Sequence, residues 1–414
     1  MRHVIIGAGA AGITAAEVLR KQDAEASITV LDGEGEVPYA RMAIPYLLSN
    51  RIGEDGAHLR HDPDHYRHLH IDIDQVRAAA VDTAARTVKL ADGSVIPYDR
   101  LLIATGSVPS RENIEGIDLP GVHTCWTLAD ARAIVAEVQP GARVVQMGAG
   151  FVGSIIIQAL VSRGAQLTIL VRSGRMVSRM MPPKASEMIA SWCEAQGVRI
   201  LGKTQAARVE RDGDALKVTL TTGETLPADV YLSLVGVKPG IGFLAGSGIA
   251  IETGIVVDEH LHTNVPGVYA VGDVAESRDR LYGKYQINAI QPNAVEQARI
   301  AAINMAGGDD EFVGSLAINV LDTLGLISCS FGQWQGEQGG ESVEMVDAGK
   351  HQYLSLQFGG DHLVGATTVG FTDHVGALRG LIQGKVKLGA WRERLLADPS
   401  LFMSAYLATA EKLA

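Results

Sequence analysis

One strand–turn–helix–strand pattern occurs twice in this chain, and that repeat limits the fold more than any other feature. The apolar run His3-Val4-Ile5-Ile6 leads into Gly7-Ala8-Gly9-Ala10-Ala11-Gly12, then helical spacing to Lys21 and a second strand, Ser27 to Leu31, ending at Asp32. Farther on, Arg143 to Met147 leads into Gly148-Ala149-Gly150-Phe151-Val152-Gly153, a helix to about Arg163, and a strand from Gln166 to Val171. In a GxGxxG turn the first glycine permits the tight turn, the second lets a pyrophosphate approach the backbone, and the third lets helix and strand pack closely. The helix that follows offers free N–H groups and a favourable dipole to phosphate. Two dinucleotide-binding folds are therefore expected.

The two copies differ where the second strand ends. In the first, Asp32 follows Gly12 by about 20 residues, where an acid accepts hydrogen bonds from an adenosine ribose. In the second, that position is Val171, followed by Arg172, with Arg175 and Arg179 close behind. A missing carboxylate and added guanidinium groups favour a ribose carrying a 2′-phosphate. The other reading, a solvated arginine loop with NAD held by other contacts, stays open at this stage.

Composition narrows the chemistry further. Glycine reaches 47 of 414 residues without a Gly-X-Y period, so the surplus serves tight turns and close approaches. Only three cysteines occur, Cys125, Cys193 and Cys329, and none forms a CxxC or CxxxxC pair. That spacing argues against a disulfide framework, a zinc site, a cysteine-held iron–sulfur cluster or a local dithiol centre. A formal charge of −11 disfavours nucleic acid or an anionic membrane as the general partner. No leader pattern follows Met1, and no apolar stretch approaches the roughly eighteen residues of a membrane helix, so a cytoplasmic location is expected.

Each glycine motif is followed by a β-rich stretch. Val76–Val81, Thr87–Leu90 and Val95–Pro97 read as short strands around an Asp92-Gly93 turn; Ala207–Glu210, Lys217–Thr221 and Thr225–Pro227 repeat the pattern around Thr222-Gly223. Apolar strands Leu101–Ala104 and Tyr231–Val235 then return to the parent sheets. Near the C-terminus, Leu326–Phe331, Glu344–Val346, Tyr353–Phe358 and Leu363–Val369 read as strands, with helices at Val375–Gln383 and Trp391–Leu413. The expected fold class is α/β, with two Rossmann-like domains and a C-terminal α+β domain. Its expected boundaries are 1–110 and 239–313 for one dinucleotide domain, 111–238 for the other, and 314–414 for the last.

Two further motifs, Leu101-Leu102-Ile103-Ala104-Thr105-Gly106-Ser107-Val108-Pro109 and Val268-Tyr269-Ala270-Val271-Gly272-Asp273, complete a pattern over residues 1 to about 300. It resembles the FAD-dependent pyridine nucleotide-disulfide oxidoreductase superfamily. The resemblance implies FAD on the first domain, at Gly7, Gly9, Ala10, Ala11, Gly12, Asp32, Val81, Ala104, Thr105, Gly106, Gly272 and Asp273. It implies NAD(P)(H) on the second, at Gly148, Gly150, Phe151, Val152, Gly153, Arg172 and Gly236. Family position also places Gln291–Ala298, with Asn293 and Ala294, beside the flavin, where helix-start N–H groups stabilise negative charge.

Disulfide members carry CxxxxC near residue 40, and peroxidases and many NADH oxidases carry one cysteine there; this chain reads Tyr39-Ala40-Arg41-Met42-Ala43-Ile44-Pro45-Tyr46-Leu47-Leu48. That stretch resembles the non-disulfide branch: rubredoxin and ferredoxin reductases and nitrite reductase flavin modules. By resemblance Arg41 contacts FAD, against an alternative surface salt bridge, and Pro45 and Tyr46 flank the flavin. Many relatives pair a lysine at position 46 with a glutamate at position 155; Tyr46 and Ile155 replace both here, which avoids a buried unpaired charge. No side chain is expected to act as acid or base, because the cofactors carry the chemistry.

The resemblance implies electron exchange between a nicotinamide and an external iron–sulfur protein, or the iron–sulfur subunit of a larger enzyme such as a tungsten-dependent aldehyde oxidoreductase. Two alternatives are a stand-alone NAD(P)H oxidase or quinone reductase, and a nicotinamide-responsive binding flavoprotein. Histidines 58, 61, 65, 68 and 70, beside Asp62 and Asp64, match no metal-ligand frame, and Pro63 interrupts their helix, so a solvated connection is expected and no metal. Arg379, Lys385, Lys387, Arg392 and Arg394 face one acid, Glu393, and form either a dock for an acidic partner or an ordinary helix surface.

Overall fold

The computed structural model describes residues 1–281 and 283–410. The chain divides into two compact units. One comprises Met1–Ala43, Ile52–Val108 and Val237–Leu316; the other comprises Ile44–Arg51, Pro109–Gly236 and the chain from Ala317 on.

The first unit is built on a five-stranded parallel sheet in the order Val268–Ala270, Arg100–Ile103, Arg2–Ile6, Ser27–Leu31, Ile71–Asp74. Its central strands are near-continuous apolar runs because a parallel sheet is covered on both faces. The Ala10–Gln22 helix crosses from the first strand to the second and buries Ile13, Ala15, Ala16 and Leu19. The antiparallel hairpin region is Ala78–Asp82, Thr87–Leu90 and Val95–Pro97. Ile71–Asp74 is a strand the sequence reading passed over. Its alternating Ile-Asp-Ile-Asp puts Ile71 in the core and leaves Asp72 and Asp74 exposed.

The second unit repeats the plan, with parallel strands Arg199–Gly202, Gln166–Val171, Arg143–Met147, Val230–Ser233 and Val122–His123 in that order. The Phe151–Ser162 helix makes the corresponding crossover, and strands Ala206–Asp212, Ala215–Leu220 and Thr225–Ala228 form the matching antiparallel sheet.

The C-terminal part of this unit is an antiparallel sheet of five strands: Ile318–Thr323, Leu326–Gly332, His362–Val369, Gln352–Gly359 and Glu341–Asp347. The fold class is therefore as expected. One face carries a polar row, Asn319, Ser330, Thr367 and Ser355, aligned across four strands. The Val375–Gln383 helix packs on the sheet, and Cys329, at 1% exposure, is core. The expected helix from Trp391 to Leu413 is corrected. It is broken into Trp391–Ala397, a short 3-10 turn Pro399–Leu401, and Phe402–Ala410, with Leu413 outside the described residues. The break is at Asp398-Pro399, where proline lacks the N–H to continue the ladder and the Asp398 carboxylate caps the next turn through Ser400 N–H at 3.0 Å.

Candidate dinucleotide and flavin sites

The two glycine turns have matching geometry. Gly7 and Gly148 have φ of +111° and +103°, a region closed to ordinary L-residues. Their N–H groups donate to Leu31 and Leu170 at 2.9 Å, tying each turn to the second strand. A Cβ would lie 2.4 Å from the Ala104 carbonyl oxygen at Gly7 and 2.2 Å from that of Leu234 at Gly148. The third glycines are closer still: a Cβ on Gly12 would stand 1.9 Å from the Gly7 oxygen, and one on Gly153 would stand 2.5 Å from the Gly148 oxygen.

The middle glycines are different. Around Gly9 and Gly150 a Cβ would meet nothing within 4 Å. Both are N-caps whose helices receive no side-chain cap, so the first N–H groups of Ala10–Gln22 and Phe151–Ser162 have no capping acceptor. Open space in front of uncapped helix N-termini, Ala10 and Ala11 in one and Phe151 and Val152 in the other, fits a pyrophosphate. The residues present therefore fit a dinucleotide at each turn.

Around the first turn the unit brings several expected residues together. Gly272, at φ +77°, sits where a Cβ would be 3.4 Å from Ala294 Cβ and 3.7 Å from Ala11 Cβ. Asp273 is buried beside Ser107, whose hydroxyl donates to its carboxylate at 3.1 Å. Burial raises the Asp273 pKa above the ordinary carboxylate value, while the Ser107 hydrogen bond and the Arg41 charge pull it back. Thr105 Oγ1 donates to the Gly240 carbonyl at 2.9 Å and Gly240 N–H donates to Gly106 at 2.9 Å, which fixes the Ala104–Gly106 turn. Asn293 donates to the Asn288 carbonyl at 3.2 Å near the start of the Gln291–Met305 helix.

Other expected residues have partners of their own. Asp32 accepts from Glu34 N–H at 3.1 Å and Glu36 N–H at 2.8 Å, so its carboxylate also shapes the loop after its strand. Arg41 pairs with Glu34 and donates to Tyr39 Oη at 2.9 Å. Val81 lies in the hydrophobic core of its unit. In the second unit, Gly236, at φ +116°, accepts from Ser110 N–H at 2.9 Å. Pro45 and Tyr46 lie on the short helix Ile44–Leu48, which packs on Phe151–Ser162, and Tyr46 is exposed. Arg172 is exposed at the end of its strand.

Three residues at these sites have roles the sequence alone does not assign, although Gln297 and Ser107 lie within the motifs quoted above. Gln297 accepts from Gly272 N–H at 2.7 Å, Ser107 holds Asp273, and buried Gln146 donates to Gly148 and Gly153 at 2.8 and 3.1 Å beneath the second turn. Gln146 was visible as a polar residue in an otherwise apolar strand; the other two act across long sequence separations.

Of the histidines, His65 Nε2 meets Glu17 at 2.9 Å and His68 Nδ1 meets Asp62 at 3.5 Å. Among the described residues, no three His, Cys, Asp or Glu side chains converge as a metal site. In the C-terminal basic patch Arg392 pairs with Glu341 and Glu393, and Arg394 lies over Trp391, while Arg379, Lys385 and Lys387 are exposed and make no ion pair among the described residues. No described helix is long and apolar enough to cross a membrane.

All three cysteines are buried, and burial raises each thiol pKa, to about 12 at Cys125 and Cys193. A buried protonated thiol is neither nucleophile nor redox partner. Alkylation of the native protein with N-ethylmaleimide is therefore expected to leave its turnover unchanged. A loss that tracks labelling of one cysteine would show a working thiol.

Comparison with known proteins agrees with this geometry. The chain is 32% identical, over 96% of its length and 95% of the relative's, to the NADH-dependent phenylglyoxylate dehydrogenase subunit epsilon of Aromatoleum evansii. It is 34% identical, over 73% of its length and 74% of the relative's, to the ferredoxin–NAD(+) reductase component of the biphenyl dioxygenase system of Paraburkholderia xenovorans. A crystal structure of a ferredoxin reductase from Rhodopseudomonas palustris superposes with a TM-score of 0.82 at 25% identity, covering 89% of this chain and 91% of that one. Residues 1–302 match the pyridine nucleotide-disulphide oxidoreductase family. With two glycine turns open for dinucleotides and no exposed thiol, the chain belongs to that family of FAD- and NAD(P)-using oxidoreductases, and sits among its members that lack the disulfide.

Proposed function

We propose that this chain exchanges electrons between NAD(P)(H) and an iron–sulfur protein or subunit, with FAD at the Gly7–Gly12 turn and the nicotinamide nucleotide at the Gly148–Gly153 turn. The observation that carries this reading is the pairing of two open glycine turns with three buried cysteines. Electrons that enter as a hydride have no thiol to leave through, so they pass to a centre outside the chain. The names of the relatives, a ferredoxin reductase component and a subunit of a larger dehydrogenase, support that direction.

Bound FAD supplies the conversion of a two-electron hydride into single electrons. The chain's own part is to hold and orient. Gly9 and Gly150 leave room for phosphates at uncapped helix starts, Asp273 offers a buried acceptor, and Gln297 and Gln146 brace the turns. Exchanging the usual lysine and glutamate for Tyr46 and Ile155 leaves nicotinamide placement to shape and packing. The lack of a cysteine ligand frame in the sequence supports a metal centre carried by another polypeptide.

Stopped-flow mixing tests the reading. The protein as purified with its flavin is expected to be bleached by NAD(P)H and to reoxidise rapidly with added ferredoxin or rubredoxin but slowly with oxygen. Reoxidation by oxygen alone as fast as by the iron–sulfur protein would overturn it in favour of an oxidase.

A further inference from the structure

We infer that the first unit carries a further ligand site, a cavity at the foot of its parallel sheet where Arg86 and Arg100 receive the phosphate group of a small organic phosphate ester. The site is separate from both glycine turns and does not depend on what they bind.

The cavity has a volume of about 460 Å³, and its lining includes Arg86, Arg100, His262, Asn264, Gly267 and Tyr269. That volume falls in the range of about 300–1,000 Å³ usual for small-molecule sites. Arg100 opens the strand that leads to the Ala104–Gly106 turn, and Gly267 directly precedes the strand that leads to Gly272-Asp273. The cavity therefore lies at the other ends of these strands from the flavin turns, about 13 Å away at roughly 3.3 Å per residue.

Its walls are fixed by their own hydrogen bonds. Thr263 Oγ1 donates to the Val268 carbonyl at 3.0 Å, and Val268 N–H donates to the Val265 carbonyl at 3.0 Å. The Asn264 amide is held at both ends, donating to Gly248 at 2.9 Å and accepting from Ala250 N–H at 2.7 Å. Arg100 Nη1 donates to the Asp99 carbonyl at 3.1 Å, and a Cβ on Gly267 would stand 3.6 Å from the same nitrogen. Burial raises the Tyr269 pKa, and the Arg100 guanidinium beside it pulls it back. Arg86 sits in the hairpin turn at φ +52°, with its carbonyl accepting from Tyr98 N–H at 3.0 Å. Such preorganisation lowers the cost of ordering these groups around a ligand.

No carboxylate lines the cavity, and the acids nearby are engaged elsewhere. Asp99 holds Arg2 at 2.7 Å, Asp258 meets His262 Nδ1 at 3.2 Å, and Asp82 accepts from Ala85 N–H at 2.8 Å. Arg86 and Arg100 make no ion pair among the described residues. Two cations sharing one cavity repel each other, and a dianion between them relieves that repulsion. A phosphate monoester carries about −1.5 to −2 charge near neutral pH and offers three acceptor oxygens. Those oxygens match two guanidinium forks, and the remaining volume takes the alcohol half of the ester.

Calorimetry on the flavin-loaded protein, with excess NAD+ present, tests the site with glycerol 3-phosphate and with succinate as a dicarboxylate of similar charge. Glycerol 3-phosphate is expected to bind saturably, more weakly as salt rises, and about tenfold or more tightly than succinate. In Arg86→Gln its affinity is expected to fall about tenfold or more. Arg86 is exposed, so flavin content and flavin reduction by NAD(P)H are expected to match the parent in that variant. No binding to the parent, or unchanged affinity in Arg86→Gln, would overturn the site. Succinate bound as tightly as glycerol 3-phosphate would overturn its assignment to phosphate esters.

Discussion

Alanine at Gly12 is expected to yield protein purified without flavin and less stable by about 3 kcal/mol or more, because the added Cβ meets main chain. It would lie 1.9 Å from the Gly7 carbonyl oxygen and 3.0 Å from its carbon, and neither can move without opening the turn. Overpacking against side chains typically costs about 1–3 kcal/mol, and here the obstacle is backbone tied into a parallel sheet. Gly9→Ala makes the informative contrast. Gly9 has φ −74° and ψ −175°, accessible to alanine, and its Cβ would meet no atom within 4 Å. That variant is expected to fold with the stability of the parent apoprotein and to retain flavin poorly, because the methyl group enters the space left for phosphate. Gly150→Ala is expected to keep its flavin and lose reduction by NAD(P)H. Urea titration of the apoproteins, with flavin content from the visible spectrum, separates these outcomes. Full flavin retention by Gly9→Ala would show that no phosphate lies over Gly9.

The contrast also explains what the sequence made legible. The GxGxxG signal is local: within six residues it specifies a turn, a clear approach and a close packing, and strands on both sides complete it. The structure adds that the turn's obstacles are distant in sequence, Ala104 at Gly7 and Leu234 at Gly148. Those contacts arise from the order in which strands join the sheets. Ser107 at Asp273 and Gln297 at Gly272 were hidden for the same reason, being 166 and 25 residues from their partners.

Missed elements have local explanations. The Ile318–Thr323 strand joins its neighbour through Leu324-Gly325, both at positive φ, 54° and 84°. Asparagine at the first position would have advertised that hairpin, and leucine does not. The Trp391–Leu413 pattern kept its apolar spacing across Asp398-Pro399, so periodicity alone ran through a boundary that proline and a capping aspartate set.

Asp273→Asn is expected to stabilise the apoprotein at neutral pH and to weaken its hold on FAD. The Asp273 carboxylate is buried, and burial raises its pKa above the ordinary 3.8 despite the Ser107 hydroxyl and the Arg41 charge. Between 3.8 and that raised value the folded protein holds a proton that the unfolded chain has released. Stability of the apoprotein therefore falls as pH rises through this window and stays reduced above it. Asparagine is neutral throughout, so the variant is expected to lose this downward step and to exceed the parent in urea resistance at about pH 7. Such a cost is retained at a functional site when the charge is used. A carboxylate accepting a ligand hydroxyl makes a charge-assisted hydrogen bond worth about 1.5–3 kcal/mol, which a neutral amide gives up in part. FAD dissociation is accordingly expected to rise by roughly one order of magnitude in Asp273→Asn. Fluorescence titration of the apoprotein with FAD, set beside urea curves at several pH values, reads both effects. A variant that loses apoprotein stability, or that binds FAD as tightly as the parent, would make Asp273 a structural cap of the Gly272 turn instead of a ligand-facing acceptor.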